Sequence, residues 1–205
     1  MAITWTVLTG SKDTEGSIAN WVNRSDLPTT NILLEAEAWI YQHLRIREMI
    51  TRTVLTVAAE AQSVALPDDF LDPITWTIYG DSYPLDYVSE DKLQESRDPD
   101  GVLVTGAPNQ WAIIGSTIYV NCLCSTAQTG IFMYYARPAA LSVSNETNFL
   151  TIKYPTLLRH ACMAAAYEHM KDTGRAEQWM QTATLKLAEA KATADLVRRG
   201  QNIPA

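Results

Sequence analysis

Apolar positions along this chain recur with helical spacing at both ends and alternate with polar positions in the middle. Near the N-terminus, Pro28 and Thr29 favour the start of a helix, which an apolar stripe with helical spacing then follows. The stripe consists of Ile32, Leu33, Ala36, Trp39, Ile40 and Leu44. A shorter helix is predicted over residues 17–22, with Asp13 or Thr14 as its N-cap. The first 50 residues are therefore predicted to be helical.

The middle of the chain, from about residue 50 to residue 141, has the pattern of β-structure. The predicted strands are rich in β-branched and aromatic residues and cover residues 51–57, 74–79, 111–114, 117–123 and 130–135. Gly115 and Ser116 fit a two-residue hairpin turn. Ser89 favours a short helix that ends near Ser96. Because only one short helix interrupts the strands, the pattern favours a small antiparallel sheet over parallel βαβ units.

The C-terminal region is predicted to form two helices. Pro155 starts the first, whose apolar face comprises Leu157, Leu158, Ala161, Cys162, Ala165 and Ala166. Thr173 and Gly174 are predicted to break this helix. The second helix is predicted to run to about Arg199, with Trp179, Met180, Ala183, Leu187, Ala190 and Ala194 on its inner face. Two helices joined by so short a break should pack as an antiparallel hairpin.

The predicted fold class is α+β. Neither helical region is large enough to enclose a core alone, so residues 1–50 and 151–205 are predicted to pack together. They would form a helical bundle built from the N-terminal helices and a long C-terminal helical hairpin. Residues 51–150 would form an inserted small antiparallel β module.

Composition favours a folded protein that does not enter a membrane. Hydrophobic residues make up 47% of the chain, and six Trp and nine Tyr supply large rings for cores and interfaces. No apolar run approaches the roughly 20 residues of a membrane-spanning helix. Residues 1–10 lack the pattern of a signal peptide. We therefore expect folding in the cytoplasm.

Charge is distributed unevenly within the net charge of −7. Residues 60–150 carry three basic and twelve acidic side chains, whereas residues 151–205 carry eight basic and five acidic ones. Tight duplex binding depends on neutralising phosphates with Lys and Arg, so an acidic chain is a poor candidate for it. The basic C-terminal segment could instead meet an acidic partner.

No catalytic arrangement is apparent. His160 and His169 lie nine positions apart on one predicted helix and so point to opposite sides of it. The three cysteines, Cys122, Cys124 and Cys162, have neither disulfide nor zinc spacing. Carboxylates cluster at Asp68, Asp69 and Asp72 and at Asp98 and Asp100. They could hold a cation or act as a glycosidase-like pair, but such residues more often cap turns. We predict no enzyme activity, cofactor or metal.

Aromatic residues are concentrated in the predicted strands. The residues that could form a subunit or tail interface are Trp76, Tyr79, Trp111, Tyr119 and Tyr134. The same rings would suit the half-buried face of a sheet or, alternatively, a carbohydrate-binding platform. Core or interface roles are favoured over sugar binding.

Three short motifs occur in order along the chain. They are ALPDDFL at residues 65–71, TGAP at residues 105–108, and MYYARPAAL at residues 133–141 followed by NFL at 148–150 and YPTLL at 154–158. In order and spacing they resemble the head-to-tail adaptor proteins of tailed bacteriophages. The resemblance is to that family's "LPxDF" turn after an early strand, to its "GxP" segment before a hairpin, and to its final strand, loop and helix.

The resemblance implies a non-catalytic ring, typically a dodecamer, in the virion neck. The ring would lie under the portal protein and extend the DNA channel, through which DNA passes without specific binding. The β module would receive the tail or nozzle protein, and the C-terminal helix and tail would dock on the portal. The residues expected to bind the portal are Lys186, Lys191, Leu196, Arg198, Arg199, Gln201 and Ile203. The basic residues among them could equally be a solvated helix face.

Other functions remain open at this point. A different neck or tail component, such as a head completion or tail terminator protein, would share the structural role. A carbohydrate-binding or carbohydrate-degrading accessory module would instead need a cleft with convergent side chains. A virion protein of either structural kind would be made in the host cytoplasm.

Overall fold

A computed structural model describes residues 3–95 and 104–198. Within these ranges the helices are α1 (Trp5–Leu8), α2 (Ile18–Val22), α3 (Thr29–His43), α4 (Glu90–Glu95), α5 (Phe149–Lys153), α6 (Pro155–His169) and α7 (Thr173–Arg198). The strands are β1 (Ile50–Val57), β2 (Ser63–Ala65), β3 (Phe70–Ile78), β4 (Asp86–Tyr87), β5 (Thr105–Gly106), β6 (Gln110–Ile114), β7 (Thr117–Val120), β8 (Leu123–Cys124) and β9 (Gln128–Ala136). The predicted α+β fold class is confirmed.

The chain divides into two compact units. One comprises residues 1–49 and 138–205, and the other is the continuous segment 50–137. The sequence pattern placed the second boundary at residue 150, whereas residues 138–150 group with the helices. Hydrogen bonds explain this, because the Leu141 N–H and the Asn148 amide both donate to the Glu37 carboxylate on α3.

Helix α6 is the centre of the helical unit. It packs against α2, α3, α5 and α7. Its sequence is apolar around most of its circumference, and its buried residues are Leu157, Leu158, Ala161, Cys162, Met163, Ala164, Ala165 and Ala166. The small side chains of α6 and of Ala183 and Ala190 on α7 allow the two helices to approach closely.

The break between α6 and α7 lies earlier than predicted. Helix α6 ends at His169, and Lys171 adopts a left-handed conformation with φ of 60°. Asp172 then accepts hydrogen bonds from the N–H groups of Arg175 and Ala176, through its carboxylate and its carbonyl respectively. Thr173 and Gly174 therefore form the first turn of α7, and their predicted role as the break is wrong.

Two other helix starts differ in detail from the pattern. The N-cap of α2 is Ser17, whose hydroxyl accepts a hydrogen bond from the Asn20 N–H at 2.9 Å. Neither Asp13 nor Thr14 caps that helix. Helix α3 begins at Thr29 after Pro28, whose ring fixes φ near the helical value, and it has no side-chain cap hydrogen bond.

The β unit contains more than one small sheet. A three-stranded antiparallel sheet has the order β1-β9-β3, and a four-stranded sheet has the order β2-β7-β6-β4. The longer strands pair antiparallel as predicted, but the two-residue pairs β4–β6 and β5–β8 are parallel. The single strand predicted over residues 117–123 is split between β7 and β8.

The core of the β unit lies between these sheets. Trp76, Trp111 and Phe132 are at most 1% exposed, and their rings meet edge to face with centroids 5.6–6.3 Å apart. Gly130 allows β9 and β3 to approach, because a Cβ atom there would lie 2.4 Å from the Thr77 carbonyl oxygen. This packing places Trp76, Trp111 and Phe132 inside the unit.

Candidate interaction surfaces

Three of the aromatic residues predicted to form an interface are core residues. Trp76, Trp111 and Tyr134 are 0%, 1% and 3% exposed. The Trp111 indole N–H donates to the Leu85 carbonyl at 3.2 Å, and the Tyr134 hydroxyl donates to Asp69 at 2.8 Å. Burial and the neighbouring Asp69 carboxylate raise the pKa of Tyr134 to about 12. Their surfaces are already used within the unit.

The other two predicted interface residues reach the surface. Tyr79 is 56% exposed, and Tyr119 is half-buried. Two further tyrosines that the pattern did not single out are also exposed, Tyr83 at 81% and Tyr87 at 57%. The available signal was their position around the Gly80-Asp81 turn, where a large ring has little core to enter.

The basic residues assigned to portal binding are only partly described. Lys186 is half-buried on α7 and forms an ion pair with Glu189, with Nζ–Oε2 at 2.8 Å. Lys191, five residues further along the helix, is exposed. Leu196 and Arg198 belong to α7, but their side chains lie outside the described residues. Arg199, Gln201 and Ile203 lie outside them entirely.

Lys186 contributes to a groove in the helical unit of about 250 Å³. The groove is lined by Lys153, Tyr154, Pro155, Thr156, Leu157, Lys186, Glu189, Ala190 and Thr193. Lys153 forms an ion pair with Glu48. Burial alone would raise the pKa of the Glu48 carboxyl group, but the hydrogen bond from Lys153 acts in the opposite direction, and the pKa is lowered overall. The structure thus brings together two lysines that are distant in sequence, each already paired with a glutamate.

A second face of α7 is exposed and carries little charge. Helix α7 turns Ala183, Leu187 and Ala190 inward. The exposed residues on the opposite side include Gln181, Leu185, Ala188 and Ala192, with Glu177 and Glu189 at the margins of this face, and Leu185 is 65% exposed. A solvent-facing helix side is ordinarily rich in charged residues, so this face is a candidate contact surface for another protein.

The cysteines and His160, which were considered as catalytic or metal-binding residues, are packed within the fold. Cys122, Cys124 and Cys162 are buried free thiols. His160 packs against the Trp179 ring with centroids 5.2 Å apart. In residues 3–95 and 104–198, no group of three or more His, Cys, Asp or Glu side chains could hold a metal ion. Asp98 and Asp100 lie outside those ranges.

None of the described helices combines the length and the apolar character that crossing a bilayer requires.

Comparison with known proteins gives one family. No curated protein matches the chain. The family model of the SU10 adaptor protein matches residues 12–204, which covers both compact units. The chain therefore belongs to the SU10 adaptor protein family and is a structural adaptor protein of a phage.

Proposed function

We propose that this adaptor joins the head of a tailed phage to its tail. Its subunits form a ring, a dodecamer as the family resemblance implies, in the virion neck under the portal protein. The ring extends the DNA channel and offers a docking surface to the tail or nozzle protein. The observation that carries this proposal is the family match over residues 12–204. The mechanism is assembly, without a catalytic step.

Contacts between subunits would use surfaces that each subunit leaves exposed. The exposed face of α7 that contains Leu185, which is 65% exposed, supports such a contact. Tyr79 and Tyr119 remain available for subunit or tail contacts, since both keep exposed surface. Burying such surfaces between subunits would supply the association energy.

Portal binding is assigned to the C-terminal end of the chain. Residues 151–205 carry an excess of three basic side chains, which suits an acidic portal surface. The contacting residues would be Lys186, Lys191, Leu196, Arg198, Arg199, Gln201 and Ile203. The acidic segment 60–150 supports passage of DNA without specific binding, because it offers few cations to the phosphates.

The test is the mass of the purified protein by light scattering, alone and mixed with the portal protein of its own phage. We expect either a large ring or a monomer that assembles on the portal. A monomer that does not bind the portal protein would contradict the proposal and favour a role as another neck component.

Lys191→Glu tests the portal-binding end directly. Because Lys191 is exposed and has an acidic partner in the proposal, charge reversal should weaken portal binding about tenfold at low salt and less at high salt. Lys12→Glu makes the same charge change on an exposed residue near the N-terminus and should leave binding unchanged. Equal affinities of both variants and the wild type, measured by titration, would remove Lys191 from the contact.

A further inference from the structure

The two outer edges of the three-stranded sheet differ in their ability to pair. Strand β3, at one edge, contains Pro73, and its register with β9 shifts between Phe70 and Asp72 and again between Pro73 and Thr75. Proline removes a backbone donor, and bulges twist an edge away from a potential partner. The β3 edge is therefore protected against strand addition.

Strand β1, at the other edge, has none of these features. It pairs with β9 in continuous register from Ile50 opposite Tyr135 to Val57 opposite Gln128. Its sequence, ITRTVLTV, contains neither proline nor glycine, and its only charged residue is Arg52. Among the described residues, β9 is the only strand that pairs with it. An edge of this length and composition is a template for another strand.

Backbone hydrogen bonding identifies which residues of β1 face outward. The Tyr79 N–H donates to the Thr129 carbonyl at 2.9 Å, so the backbone polar groups of Thr129 point towards β3. Because these groups alternate along a strand, those of Gly130 point towards β1, where Leu55 lies opposite. The N–H and C=O groups of Arg52, Val54 and Thr56 consequently point away from the sheet.

The same three residues are exposed. Arg52, Val54 and Thr56 alternate with the half-buried Thr53 and Leu55, and Val54 is 56% exposed. An incoming strand would therefore meet free donors and acceptors beside accessible side chains. A backbone edge of this kind recognises extended chain, with side-chain contacts adding specificity.

We propose that the outer edge of β1 binds an extended strand of a partner protein, which adds to the sheet next to Arg52, Val54 and Thr56. The partner strand alternates β-branched residues and carries an acidic residue near Arg52. This inference goes beyond the proposed function, because it requires neither ring formation nor portal binding.

A second copy of this chain fits the edge less well. Strand β9 is paired on both sides. The outer edge of β3 is interrupted by Pro73 and its register shifts, and its Trp76 carbonyl already accepts from the Leu85 N–H. The edge strands of the other described sheets, β2, β4, β5 and β8, are at most three residues long, so among the described strands only β1 could supply an edge of matching length. Pairing β1 with β1 would give a two-fold dimer that closes on itself, in contrast to the head-to-tail contacts of a ring.

The experiment uses the full chain, labelled with ¹⁵N, and a macrocyclic β-strand peptide. The peptide strand alternates valine and threonine around one central glutamate, and N-methyl groups block its second edge. Titration followed by amide shifts should perturb residues of β1. Val54→Pro removes one outward N–H without touching the ladder to β9, and should weaken binding about tenfold or more. Val54→Thr keeps the N–H and should bind like the wild type.

Several outcomes would overturn the proposal. Absence of binding, shifts confined to other strands, or equal affinity of folded Val54→Pro would each remove the β1 edge. Circular dichroism establishes that the variant is folded, and Arg52→Glu provides a second test by repelling the glutamate of the peptide. Sedimentation that shows a dimer dissociated by Val54→Pro would assign the edge to a second copy. Portal binding is measured separately, so either proposal can fail while the other stands.

Discussion

Glu37 is a buried carboxylate that connects two parts of the helical unit. It is 2% exposed on α3. Its carboxylate accepts hydrogen bonds from the Tyr41 hydroxyl at 3.2 Å, the Asn148 amide at 2.8 Å and the Leu141 N–H at 3.1 Å. Burial raises the pKa of Glu37, and the three donors offset part of that rise. The residue therefore holds the segment 138–148 against α3 at an electrostatic cost.

Glu37→Gln should make folding stability less dependent on pH. The pKa of Glu37 is higher in the folded protein than its ordinary value of 4.5, so the stabilising contribution is complete below that value. It is lost as the pH rises through the folded pKa. The free energy of unfolding of the wild type should thus fall relative to that of Glu37→Gln between pH 4 and pH 7, measured by urea denaturation. Glu35→Gln, on the exposed side of α3, is the control. The expectation would be contradicted if the free energy of unfolding of the wild type rose relative to that of Glu37→Gln over this range.

At the scale of elements, the connection between α6 and α7 shows how a helix break is chosen. Glycine and threonine suit a break, but Lys171 takes the left-handed conformation and Asp172 caps the next helix. An aspartate that accepts from the N–H of the third following residue satisfies a donor that the helix leaves free. The cap thus outweighs the presence of Gly174 in the first turn.

Gly174→Ala should raise the free energy of unfolding by about 0.5–1 kcal/mol, because alanine favours a helix more than glycine does. A Cβ atom at this position would have no heavy atom within 4 Å. Thermal and urea unfolding provide the measurement. Gly130→Ala should be destabilising by about 1–3 kcal/mol in the same assay, since its Cβ would collide with β3. Destabilisation by Gly174→Ala would instead indicate that Gly174 acts as the helix break.

At the scale of the molecule, the β unit is an insertion in the sequence of the helical unit, and the two points where the chain passes between the units lie close together. Ile50 begins β1, and its partner across the ladder is Tyr135, near the end of β9. Paired residues on antiparallel strands lie about 5 Å apart. The chain therefore enters and leaves the β unit at neighbouring points, and each unit has its own buried core.

Replacing residues 51–136 with a short Gly-Ser linker should leave the helical unit folded, because the linker has only a small gap to span. Helical circular dichroism and a cooperative thermal transition are the expected readouts. The complementary segment 50–137, expressed alone, should show the near-ultraviolet signal of packed Trp76 and Trp111. An unfolded product in both cases would mean that the units depend on each other for stability.

Much of the element order could be predicted from patterns. Local periodicity indicates the apolar stripe of α3, the alternating segments of β1 and β9 and the apolar circumference of α6. Such periodicity can be recognised in the sequence without knowing which residues lie nearby in the fold. The roles of individual aromatic residues could not be predicted in this way. Trp76 and Tyr79 have similar sequence surroundings, yet one is fully buried and the other 56% exposed.

The sequence by itself determined the fold class, the order of the longer helices and strands and the family resemblance, because these depend on local periodicity, turn residues and short motifs. Only the tertiary structure decided which edge of the three-stranded sheet stays open, which face of α7 remains exposed and how Glu37 meets Leu141 and Asn148. These features depend on residues far apart in the chain, and their contacts arise from packing that no local pattern records.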